Sequence, residues 1–152
     1  MQPLPILLPL PNHNKNLWFF NYFAPYLRRD NRLPLKGEAK ISVDFNQALM
    51  ALKLEGKLKG LFFHIAHETG DGNKSAFGYA LKMMGKFNGI ADYVFIHKLK
   101  TVFLEVKAGK NKASEHQKLF QQWCEFEHIP YAIMTSVDEG MTFLQEHGFI
   151  EK

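Results

Sequence analysis

Gly89-Ile90-Ala91-Asp92-Tyr93-Val94-Phe95-Ile96-His97-Lys98-Leu99-Lys100-Thr101-Val102-Phe103-Leu104-Glu105-Val106-Lys107 is the stretch that decides the fold. Two apolar runs, at about 92–96 and 101–106, flank the tight polar turn His97-Lys98-Leu99-Lys100, which predicts a pair of strands joined as a hairpin. Side chains two apart on a strand share a face. Glu105 and Lys107 are therefore expected to project together, with Val106 turned away. A hairpin lets Asp92, which opens the first strand, join them. A carboxylate pair can hold a hard divalent cation, and a lysine beside it can stabilise an attacking or leaving oxygen. The combination implies metal-dependent phosphodiester hydrolysis.

Working outward, Phe45, Leu49 and Leu52 fall at helical spacing, with Ala48 and Ala51 between them, and predict a helix over 44–54 that Gly56 or Gly60 ends. Leu61 to Ile65 reads as a compact apolar strand, 67–73 as a loop, and 74–84 as a second helix. Beyond the hairpin, Lys107 to Ala113 is a basic, glycine-containing loop. A helix follows from Glu115 to about His128, then a strand at 131–135. Ser136-Val137-Asp138-Glu139 has the form of a capping box and opens a last helix to about His147. The order α-β-α-β-β-α-β-α predicts an α/β fold, a mixed central sheet flanked by helices.

The chain of 152 residues is 46% hydrophobic and 22% charged, which suits one domain with a sizeable core and argues against general disorder. The net charge of +4 permits nucleic-acid binding without requiring it. Cys124 is the only cysteine, so an internal disulfide and a zinc site of clustered thiolates are both excluded, and its place beside Trp123 and Phe126 marks a core thiol. Six of the seven prolines lie in residues 1–37, an arm that also holds Trp18, Phe19, Phe20, Tyr22, Phe23 and Tyr26. This arm reads as a packing element for the domain at 38–152 or for a partner copy. Its apolar start lacks a basic leading region and is broken by prolines, unlike a signal peptide. No stretch reaches the roughly 20 apolar residues of a membrane span, so a soluble, cytoplasmic protein without membrane contact is expected.

Gly89-Ile90-Ala91-Asp92-Tyr93, Phe103-Leu104-Glu105-Val106-Lys107 and Ser114-Glu115-His116-Gln117 together resemble the VRR-NUC branch of the PD-(D/E)XK nuclease superfamily, and Tyr131 to Ser136 is similar to its last strand. The resemblance covers roughly residues 44–147. It implies a restriction-endonuclease-like core and a Mg²⁺- or Mn²⁺-dependent endonuclease that cleaves DNA by shape and not by base sequence. It implies Asp92 and Glu105 as metal ligands, with the Val106 carbonyl as a further one. Lys107 would orient water or stabilise charge on the phosphate, and Gln117 would act from its helix. Ser114 and Gln117 also form a capping box in their own right, so both roles stand open for Gln117.

Two departures from the family pattern stand out. Ala91 replaces a proline that would pre-set the turn aiming Asp92. An earlier acidic position has two candidates, Asp44 at the expected helix start and Glu68 after the first strand, of which Glu68, with His67 beside it, is favoured. His64 and His67 do not have the His-Glu-x-x-His spacing of a zinc protease. Lys82, Lys86, Lys110, Lys112 and Lys118 are candidate phosphate contacts, whose plain alternative is a solvated surface. A homodimer would double the contact surface of so small a domain. The alternatives to an enzyme are a non-catalytic nucleic-acid-binding module on the same fold and an interaction protein built on the aromatic arm.

Overall fold

The computed structural model describes residues 34–65 and 76–151. Among the described residues are four helices and four strands, in the order α1 (Gly37–Leu54), β1 (Leu61–His64), α2 (Ala76–Met83), β2 (Tyr93–His97), β3 (Lys100–Val106), α3 (Glu115–Phe126), β4 (Tyr131–Met134) and α4 (Val137–Glu146). The element order is the expected one. Residues 1–33 of the N-terminal arm, with its aromatic run, lie outside the described residues, as do His67 and Glu68.

The strands form one sheet in the order β1-β2-β3-β4, with β1/β2 and β2/β3 antiparallel and β3/β4 parallel. The hairpin closes at the pair His97↔Lys100, leaving Lys98 and Leu99 as its two turn residues. A parallel neighbour cannot be reached by a tight turn, so α3 carries the chain back from β3 to β4. No helix among the described residues is long and apolar enough to cross a membrane.

Alternation divides the sheet into two faces. Tyr93, Phe95, Val102, Leu104, Val106 and Met134 point to the face covered by α1 and α4, where they meet Phe45, Leu49, Leu144 and Phe149. Phe45 stands edge-on to Tyr93, with ring centroids 5.2 Å apart. On the other face, Phe120 of α3 packs edge-on against Phe103 of β3 at 5.1 Å and lies 6.0 Å from Tyr131 of β4. Cys124 is buried beneath α3, and that burial pushes its thiol pKa up, as suits a core residue.

Three local expectations change. Helix α1 begins at Gly37, seven residues before position 44, so Asp44 is an interior helical residue paired with Lys40 and not a helix start. The early turns bear polar residues over the loop after β3, so no apolar repeat announces them. The predicted strand at 61–65 is an edge strand with Leu61 and Phe63 exposed. At α4 the capping box is only half formed. Ser136 Oγ accepts from the Glu139 amide at 3.3 Å, while the Glu139 carboxylate accepts from the Thr135 amide at 2.6 Å.

Candidate active site

The end of β3 carries the site. Glu105 pairs with Ile133 of β4, and Lys107 follows Val106, the last residue of the strand. The Lys107 amide donates to the Met134 carbonyl at 2.9 Å, which extends the ladder with β4 by one bond. Glu105 is 1% exposed and Lys107 8% exposed, so the pair is buried and not a solvated surface ion pair. Lys107 Nζ donates to Glu105 Oε1 at 2.7 Å. A buried ion pair contributes little net stability, because desolvating both charges offsets their attraction.

Asp92 reaches the same strand end. Its Oδ2 accepts from the Val106 amide at 2.8 Å, and the Asp92 carbonyl accepts from the Ile65 amide at 2.7 Å. One carboxyl oxygen therefore does the work of a missing strand partner, and Asp92 has a structural role in the turn. The turn that aims it is tight despite Ala91. Ala91 is fully buried, and Gly89 (φ +81°) lies so close to α3 that an added Cβ would stand 2.4 Å from the His116 carbonyl carbon. Pre-setting comes from a glycine pressed on a helix and not from a proline ring.

Gln117 caps its helix and reaches Glu105 as well. Its Oε1 accepts from the Ser114 amide at 2.8 Å, and its own amide donates to Ser114 Oγ at 3.3 Å, completing the capping box. Its Nε2 donates to Glu105 Oε1. A side-chain amide has an acceptor end and a donor end. The cap takes the first, and the acid takes the second.

Glu105 Oε1 thus receives both Lys107 and Gln117, while Glu105 Oε2 is buried with no hydrogen-bond partner. Burial raises the carboxyl pKa to about 7, the charge of Asp92 adds to the rise, and the Lys107 hydrogen bond opposes it. Desolvation pulls the Lys107 ammonium pKa down, but its bond to Glu105 and the charges of Glu105, Glu38 and Asp92 outweigh this and raise it. The Tyr131 hydroxyl is likewise buried without a hydrogen-bond partner, and its pKa is raised by burial first and then by the charge of Glu105.

Glu38, in the first turn of α1, is the acidic residue that sequence reasoning missed. Its Oε1 accepts from Asn111 Nδ2 at 3.1 Å and from the Ala108 amide at 3.4 Å, bracing the loop after Lys107. The one available signal was an acid near a helix start, too common to single it out. No family model matches the chain, and no curated protein or solved structure matches it at a significant level.

The predicted lysines separate into groups. Lys110 and Lys112 are exposed on the loop after the site. Lys118 pairs with Glu115 at 2.7 Å on the surface of α3. Lys82 and Lys86 line a groove against α3.

Among the described residues no group of three or more His, Cys, Asp and Glu side chains is placed to hold a metal ion. Mg²⁺ retains several waters and is commonly held by one or two carboxylates together with substrate phosphates. Asp92 and Glu105 supply a donor set of that kind, and the partnerless buried oxygen of Glu105 is an acceptor that a cation would satisfy.

Proposed function

We propose that the chain is a metal-dependent nuclease that hydrolyses DNA phosphodiester bonds on a restriction-endonuclease-like core, as the resemblance to the VRR-NUC branch implies. The observation that carries the reading is Glu105, a buried carboxylate with one oxygen engaged by Lys107 and Gln117 and the other without a partner. The strand order β1-β2-β3-β4 with a parallel β3/β4 pair supports the same reading.

Asp92 and Glu105 would hold Mg²⁺ or Mn²⁺, with the Val106 carbonyl as a further oxygen donor. When bound, such an ion lowers the pKa of its water and neutralises phosphate charge. Lys107 brings its ammonium to the same point, where it stabilises charge developing on the phosphate oxygens. Gln117 fixes the rotamer of Glu105 through one hydrogen bond and is itself fixed by the cap of α3, so the acid is held before substrate arrives. Glu38 holds the loop after Lys107 against α1. The exposed Lys110 and Lys112 would meet the phosphate backbone beside the site without reading bases.

A second reading, a nucleic-acid-binding module without catalysis, draws on the absence of a third metal-ligating side chain among the described residues. The discriminating experiment is cleavage of labelled linear, flap and four-way-junction DNA in Mg²⁺, Mn²⁺ or EDTA, with the wild type beside Lys107→Ala and Glu105→Ala. Cutting that needs the metal and disappears in both variants supports the nuclease. Salt-sensitive binding without cutting of any substrate favours the second reading.

A further inference from the structure

A groove of about 380 Å³ runs between the segment after α2 and the exposed side of α3, a volume within the roughly 300–1,000 Å³ of ligand sites. Phe87 and Trp123 form its aromatic wall, with ring centroids 5.6 Å apart and planes inclined at 60°. Both stay open to solvent, at 57% and 50% exposure, and Leu119 between them is 62% exposed. Lys82, Lys86 and His116 supply the polar lining, and no carboxylate lines the groove among the described residues.

Both walls of the groove lead along the chain to residues of the candidate active site. Phe87 and Asn88 lead into Gly89, which is pressed on the backbone of His116 and Gln117 and is followed by Asp92. His116 precedes Gln117, whose amide donates to Glu105.

We propose that this groove binds an unpaired nucleic-acid strand, stacking a base on Trp123 and Phe87 and setting its phosphates against Lys82 and Lys86. The site would then take its scissile bond from a single-stranded arm or from the junction of such an arm with a duplex. Half-exposed aromatic faces accept any base, and lysine ammonium groups beside them attract the phosphate backbone. A duplex keeps its bases stacked on one another and offers none to Trp123. The identification of the occupant as substrate rests on the nuclease reading, whereas its binding does not.

The test is made in EDTA, so that binding is read without cleavage. The full chain carrying Trp18→Phe leaves Trp123 as the sole tryptophan, and its emission is followed on titration with oligo-dT and with a blunt duplex of equal length. Quenching by oligo-dT and little by the duplex is expected. Trp123→Ala in the otherwise unaltered chain should weaken oligo-dT binding about tenfold, measured by anisotropy, with Trp123→Phe restoring most of it. Phe87→Ala, at a second exposed position, should weaken it in the same direction. Equal quenching by both DNAs, or unchanged oligo-dT affinity in both alanine variants, overturns the proposal. So does quenching by an acidic peptide with none by oligo-dT, which would assign the groove to a protein partner. If oligo-dT quenches Trp123 but the wild type cuts no substrate in Mg²⁺ or Mn²⁺, the groove stands and the nuclease reading falls.

Discussion

The two faces of the sheet differ in what covers them. On one, Phe45, Leu49, Phe95, Leu104, Leu144 and Phe149 are sealed between the strands, α1 and α4, with no measurable exposure. On the other, α3 sets Phe120 on β3 and β4, while Leu61 and Phe63 of β1 remain open at 67% and 51%. The buried charges, Glu105 and Lys107, lie on this second face, beside α3. Stability is concentrated on the face that can be packed with apolar side chains alone. Chemistry sits where packing is incomplete and a polar side chain from α3 can reach the strand end.

The sharpest way to break this comparison is to cut into the closed face. Phe45→Ala should lower unfolding free energy by about 3–5 kcal/mol, read from denaturant melts, because a fully buried ring is lost and leaves a cavity. A loss below about 1 kcal/mol would mean that this face is not the core. On the other face Glu105→Gln should leave the fold in place and reduce metal-dependent cleavage at least about a hundredfold, the scale of losing a preorganised electrostatic group. Cleavage that survives the substitution would remove Glu105 from the chemistry.

A smaller effect follows from protonation. In EDTA the Glu105 carboxyl pKa is raised by burial to about 7 from an ordinary 4.5. Between those values the folded protein keeps a proton that the unfolded chain has released. Its stabilising contribution is therefore full below about pH 4.5 and is lost as the pH rises through about 7. Unfolding midpoints measured across this window should fall with pH, and Glu105→Gln should flatten that part of the profile. A slope that the substitution leaves unchanged would assign the titration elsewhere. The smallest effect belongs to the open edge. Leu61→Lys should change stability by no more than about 0.5 kcal/mol, since little apolar burial is lost. A larger cost would show that β1 is covered in solution.

Much of this architecture was legible from the chain because it is local. The alternation in 92–107 marks a hairpin, and the same period puts Glu105 and Lys107 on one face. Ser114 and Gln117 announce the start of α3. The start of α1 escaped because Lys36 offers no side-chain cap and its early turns carry no apolar repeat. Ala91 suggested a loose turn because nothing in the sequence shows that Gly89 rests on the backbone of α3.

The sequence by itself determined the order of elements, the hairpin and the spacing of the acid and the lysine, since periodicity and turn chemistry act between near neighbours. Long-range packing alone sets that Glu105 is buried with one oxygen unpartnered, that Gln117 serves cap and acid together, and that Glu38 reaches Ala108 across 70 residues of chain. These depend on which helix lands on which strand end, a matter of packing between distant segments that no local pattern encodes.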